Sequence, residues 1–228
     1  MDKLAPEILA ECAPHSMIQN ERLAENIAFM LNLARRNLLP AGDVVECGVW
    51  KGGMALACVR VFGPERAYHF LDSFEGLPPP DENDGMDAHY WAAHPEHPRY
   101  FNNCKADLDQ VESLLADLRP RHHNVNLIKG WFKDTLPDVA PEGVAFLHLD
   151  CDWYQATYDC LEHFWPLLRP GAVVLIDDYY DWEGCRRAAH DFLGRHRARE
   201  AIRSLGTSGG AFITRLGKWT RSESPHLL

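Results

Sequence analysis

The sequence predicts an α/β domain whose mainly parallel sheet carries helices on both faces and is closed by a C-terminal antiparallel strand. Three observations predict it. Five short apolar runs recur along the chain, stretches with helical spacing separate most of them, and two closing apolar segments follow the last helix. Strands alternating with helices call for right-handed crossovers, which lay neighbouring strands parallel. With 228 residues and 46% hydrophobic content, the chain can bury one compact core, so a single domain over 1–228 is expected.

Taken in order, 1–40 reads as an N-terminal helical region. In it Leu23, Ile27, Met30, Leu31 and Ala34 recur at three and four, giving an amphipathic helix from Asn20 to about Asn37. Asp43-Val-Val-Glu-Cys47 is the first strand, and Gly48-Val-Trp-Lys-Gly-Gly53 turns it into a helix over Met54 to Phe62. Ala67 to Asp72, Asn124 to Lys129, Val144 to Leu149 and Ala172 to Ile176 are further strands. Helices are expected around Asp107 to Leu118, Tyr154 to Leu168 and Cys185 to Arg197, and an antiparallel pair around Ala201 and Ala211. The segment 73–106 breaks the rhythm with Pro78-Pro-Pro80, Pro95, Pro98, several acids and Tyr90-Trp91. Segments of this length inside a compact domain are lids, binding loops or solvated insertions. The aromatics favour a lid over substrate, with a solvated insertion as the alternative.

The net charge of -10 offers no clustered basic face for a polyphosphate backbone, so nucleic acid is not expected as a partner. No stretch reaches the ~18 apolar residues of a membrane span, and the first residues lack the pattern of an export signal. A cytoplasmic protein with no membrane partner is expected. The seven cysteines form no C-x-x-C pair and read as buried thiols, and His122-His123 lacks the paired partners of a zinc site.

In an open α/β sheet the ligand sits beyond the carboxyl ends of the strands. At the first such end Glu46 precedes the glycine turn by two residues. A carboxylate there would repel a docking pyrophosphate and attract a sulfonium, which favours S-adenosylmethionine over NAD. Asp72, ending the second strand, stands where it could accept hydrogen bonds from a ribose, or cap a turn. Gly130 and Trp131 follow the third strand, where they could flank an adenine ring, although Trp131 and Phe132 could equally be core.

Period two along Val144 to Asp152 sends Asp150 and Asp152 the same way, and the next strand ends in Asp177 and Asp178. On parallel strands about 4.8 Å apart, these acids crowd one rim and raise one another's pKa until a cation relieves them. All-oxygen ligands select Mg²⁺, with Mn²⁺ or Ca²⁺ behind it. A single such Asp would be read as a helix cap, as Asp152 could be for Tyr154 onward; four on two strand ends favour the metal. His148, inside an apolar run, reads as a hydrogen-bonded core residue.

Five blocks, Glu46-Cys-Gly-Val-Trp-Lys-Gly-Gly53, Leu71-Asp-Ser-Phe-Glu-Gly-Leu-Pro78, Lys129-Gly-Trp-Phe-Lys-Asp-Thr-Leu-Pro137, Leu149-Asp-Cys-Asp-Trp-Tyr154 and Ile176-Asp-Asp-Tyr179, resemble the macrocin O-methyltransferase (TylF-like) family in order over about residues 20 to 215. The resemblance implies a class I methyltransferase fold of Rossmann-like type. It also implies S-adenosylmethionine as donor, a metal-dependent reaction on sugar hydroxyls of natural products, and a homo-oligomer. It makes Asp150, Asp177 and Asp178 the metal ligands and Asp152 the general base, with Glu46, Gly48, Asp72 and Ser73 against the donor. Cys151 and His148 depart from the residues common in the family, so the identity of the small-molecule hydroxylated acceptor is not inherited. The rival readings are a catechol-type methyltransferase acting on a phenolic diol, a nucleotide-binding metal hydrolase, and a non-catalytic interaction domain.

Overall fold

The computed structural model describes residues 4–116, 118 and 124–217; His122-His123 lies outside the described residues. Helices α1 (Leu4–Cys12) and α2 (Asn20–Arg35) precede the sheet, and α1 was not resolved as a separate helix by the periodicity. The strands are β1 (Asp43–Cys47), β2 (Tyr68–Asp72), β3 (Val125–Lys129), β4 (Val144–Leu149), β5 (Leu168–Ile176), β6 (Ile202–Leu205) and β7 (Gly210–Thr214). Their order is β3-β2-β1-β4-β5-β7-β6, parallel through β5, with β7 antiparallel to β5 and to β6. β5 starts four residues ahead of its apolar run because Leu168 pairs with Val144 before the register shifts. The direction of winding reverses between β1 and β4, the position at which open α/β sheets form a crevice.

Two apolar layers sandwich the sheet. Ile8, Leu23, Ile27 and Met30 pack with α3 (Gly53–Phe62) on one face, where Val44 and Phe146 point. Cys160, Leu161 and Phe164 of α8 (Tyr154–Phe164) pack with Phe192 of α9 (Glu183–Arg195) on the other, where Val45, Leu147 and Leu149 point. Each of these fully buried Leu, Ile and Phe side chains is worth roughly 1.5–3 kcal/mol in area removed from water. On α2, Leu33 rather than Ala34 completes the buried stripe, and Arg22 and Asn26 are buried with it.

The segment 73–106 is not one long loop. It holds α4 (Gly85–Ala93) and α5 (Phe101–Cys104), a single turn whose four residues all have positive φ, between 47° and 58°. α6 (Leu108–Ala116) then leads to β3, and α7 (Phe132–Thr135) follows it. Trp91 of α4 meets Trp153 and Trp182 edge to face, with centroids 5.7 and 6.2 Å away, in a small apolar core of its own. Asp84, 3% exposed, accepts the Tyr154 amide at 2.7 Å and so ties the segment to the first residue of α8. Asp152 therefore does not cap α8.

No helix among the described residues is long and apolar enough to cross a membrane. All seven cysteines are free; six are buried and Cys104 is half-buried.

Candidate active site

A cavity of about 280 Å³ opens beyond the carboxyl ends of β1 to β5, under the segment that carries α4 and α5. Gly48, Asp72, Ser73, Gly130, Trp131, Asp150, Asp152, Asp177 and Asp178 all line it. Glu46 does not.

Strand alternation explains the difference. Glu46 shares the face of Val44, turned toward α2 and α3, and the β1–β4 register sets it opposite His148. Its carboxylate is 1% exposed and meets His148 Nδ1 at 3.1 Å, while Glu46 Oε2 and His148 Nε2 have no hydrogen-bond partner among the described residues. Burial raises the Glu46 pKa above the usual carboxylate range, against the lowering effect of His148. The charge expected to face a sulfonium thus lies in the core. His148 is the hydrogen-bonded core residue its apolar surroundings suggested.

The glycine turn is fixed from below and from the side. Gly48 has φ 91°, and a Cβ there would lie 1.7 Å from the Asp150 carbonyl oxygen, so only glycine lets β1 and β4 close at the crevice. Trp50, also left-handed at φ 48°, is held because Asp72 Oδ2 accepts the Val49 and Trp50 amides at 2.7 and 2.8 Å. Asp72 Oδ1 accepts the Phe74 amide at 2.6 Å, which leaves one lone-pair direction of that oxygen for a ligand hydroxyl. Asp72 is thus a turn cap and a cavity residue together. The Ser73 hydroxyl donates to the Gly76 carbonyl at 3.1 Å and accepts the Glu75 amide. Trp131 is 36% exposed at the mouth, whereas Phe132 packs on the core.

The four aspartates divide. One oxygen from each of Asp150, Asp177 and Asp178 lies within 4.8 Å of the others. Asp152 stands apart from that group because its backbone turns left-handed, φ 56°, ending the period-two alternation expected to align it with Asp150. Its amide donates to Asp178 Oδ2 at 3.0 Å, and Trp182 Nε1 donates to its Oδ1 at 2.9 Å. Burial, with repulsion from neighbouring acids, holds Asp150 and Asp178 well above the usual carboxylate range. Burial likewise pushes Asp152 up to about 7, against the lowering effect of the Trp182 bond.

A convergent, all-oxygen triad with Asp177 and Asp178 buried, Asp150 half-buried, and Asp150 and Asp178 held above the usual carboxylate range fits a hard divalent cation, which would offset the burial and the repulsion. Sequence reasoning missed the other polar residues in contact with it. Arg22 donates to Asp177 and Asp181, and Asn26 to Asp177. Their signal was available, since 22 and 26 fall on the helical stripe of Leu23, Ile27 and Met30. Leu77, Trp91, Arg99 and Phe101 of the 73–106 segment also line the cavity, and Phe101 meets Trp50 of the glycine turn edge to face at 5.9 Å.

The family model for macrocin O-methyltransferases (TylF) matches residues 10–213. The 8-demethyl-8-(2,3-dimethoxy-alpha-L-rhamnosyl)-tetracenomycin-C 4'-O-methyltransferase of Streptomyces olivaceus is 34% identical over 199 residues, covering 86% of this chain and 74% of that protein. The mycinamicin III 3''-O-methyltransferase of Micromonospora griseorubida is 35% identical over 207 residues, covering 86% and 76%. Among solved structures, the O-methyltransferase NovP aligns with a TM-score of 0.73 at 28% identity, over 89% of this chain and 83% of that one. The match over most of the chain, on this strand order and with this crevice, shows that the chain belongs to the macrocin O-methyltransferase family and is a class I, S-adenosylmethionine-dependent O-methyltransferase.

Proposed function

We propose that this methyltransferase acts on a sugar hydroxyl of a glycosylated natural product and requires a divalent cation, Mg²⁺ before Mn²⁺ or Ca²⁺. Asp150, Asp177 and Asp178 would hold the cation, and Asp152 would serve as general base. The observation that carries the reading is the convergence of three carboxylates within 4.8 Å at the crevice, with a fourth, Asp152, set apart by its left-handed backbone and accepting a bond from Trp182. The relatives support the acceptor class, since one is named for a rhamnosyl-bearing tetracenomycin. The aromatic wall of Trp91, Phe101 and Trp182 offers flat apolar surfaces to the ring carbons of a sugar, and the acids offer acceptors to its hydroxyls.

An alcohol is a poor nucleophile until its proton leaves. The cation would supply Lewis acidity that lowers the pKa of a neighbouring hydroxyl, and the donor supplies a methyl group on a cationic sulfur. Asp152 accepts the hydroxyl proton as the oxygen attacks that carbon. The O–CH₃ bond forms, the S–CH₃ bond breaks, and sulfur keeps the electron pair. Asp72, with one open lone-pair direction, would hold a donor hydroxyl, while Gly48, Ser73, Gly130 and Trp131 shape the donor wall. The segment bearing α4 would close the site against water as a lid, and such positioning is worth up to ~7–11 kcal/mol.

Turnover of a rhamnosylated acceptor with S-adenosylmethionine should disappear in EDTA and return on addition of Mg²⁺. Undiminished turnover in EDTA would remove the cation from the reaction.

A further inference from the structure

Arg22 reaches the aspartate rim from α2. It is 8% exposed, and its Nη1 donates to the main-chain carbonyl and to Oδ2 of Asp177, both at 3.1 Å, and to Asp181 Oδ2 at 2.7 Å. Its Nε donates to the Ser208 carbonyl at 2.9 Å. One helical turn on, Asn26 donates to Asp177 Oδ1 at 3.3 Å. Both carboxylate oxygens of Asp177 therefore already accept a bond from α2. Asp177 also belongs to the convergent triad, so a cation bound there would share its ligand oxygen with α2. It would stand one carboxylate away from a buried, weakly screened positive charge.

Two effects of opposite sign follow. The guanidinium orients Asp177, which favours cation binding, and repels the cation, which opposes it. Asn26 and the backbone bond from the Asp177 amide to the Leu149 carbonyl, 3.0 Å, also anchor Asp177, so removing Arg22 takes away its repulsion while two anchors of the residue remain.

We propose that Arg22 is the resident counter-charge of the aspartate rim: a positioning residue that holds Asp177 and sets divalent-cation affinity below what the three carboxylates alone would give. Asp181, with its side chain 41% exposed, takes part by drawing the guanidinium toward itself.

The inference rests on the cation reading above, and titration calorimetry of the donor-free protein with Mg²⁺ tests the two separately. Arg22→Met should tighten Mg²⁺ binding by about tenfold or more, while Arg22→Lys, which keeps the charge, should stay near the parent protein. Asp181→Asn removes one acid and leaves Arg22 wholly to Asp177, so it should weaken binding severalfold. General loss of structure would weaken both variants, whereas opposite signs point to the counter-charge. If the parent binds Mg²⁺ and Arg22→Met binds it equally or less well, the role of Arg22 is overturned. If the parent binds none, the cation reading falls first, and the inference with it. Should Arg22→Met not fold, Asp181→Asn decides alone, and unchanged or tighter binding overturns the proposal.

Discussion

At the ends of β1, β2 and β3 the cavity wall is main chain tied to main chain. The Gly48 amide donates to the Leu71 carbonyl, the Gly130 amide to the Asp72 carbonyl, both at 2.9 Å, and one carboxylate, Asp72, gathers three amides. The other wall is made of side chains: Trp91 and Phe101 of the crossover excursion, whose α5 turn has four successive left-handed residues, packed with Trp153 after β4 and Trp182 after β5, and Phe101 meeting Trp50 of the glycine turn at 5.9 Å. The first wall draws its shape from the sheet and leaves few side chains free to vary. The second rests on its own small core of Ala88, Trp91 and Trp153, whose side chains are not part of the sheet's two apolar layers. A family that keeps one donor while changing acceptors would be built in this way.

The comparison breaks most sharply where the walls meet. Asp152→Asn should lower kcat by roughly 10²–10⁴-fold, as loss of a general base does, while calorimetric affinity for S-adenosylhomocysteine stays at the parent value. Full turnover in that variant would place the base elsewhere. Within the first wall, Asp72→Asn exchanges an acceptor of three amides for a group with half that capacity. S-adenosylhomocysteine should then bind about ten- to a hundredfold more weakly, with the acceptor KM unchanged. The smallest effect is expected in the second wall. Asn102, at φ 55°, sits in the left-handed region that asparagine and glycine both adopt, so Asn102→Gly should lower stability by no more than about 1 kcal/mol, the entropic cost of glycine. It should shift the acceptor KM without touching donor affinity; an effect on donor affinity would mean that the two walls are not independent.

The first wall was the more legible one. β1 and β4 fall where apolar runs and turn residues put them, and Gly48, Asp72 and Gly130 announced themselves by position at strand ends. What sequence could not supply were contacts across long separations. Asp84 meets Tyr154 from 70 residues away, and Arg22 meets Asp177 from 155. Glu46 was placed by its distance from the turn, but the side it faces is decided by strand alternation and register, which bring it to His148 instead. Asp152 failed the converse test: a left-handed φ cancelled the alternation that should have aligned it with Asp150.

The bond from the Tyr154 amide to Asp84 also sets a toll on access. Any outward swing of the segment around α4 would strip α8 of the carboxylate at its first amide and part the Trp153 indole N–H from the Pro78 carbonyl, 2.9 Å away. Losing a helix cap alone costs on the order of 1 kcal/mol. If the segment acts as the proposed lid, its opening would be coupled to fraying at the start of α8, directly beyond Asp152, so that the loop bearing the proposed base would slacken when the door is open and stiffen when it shuts.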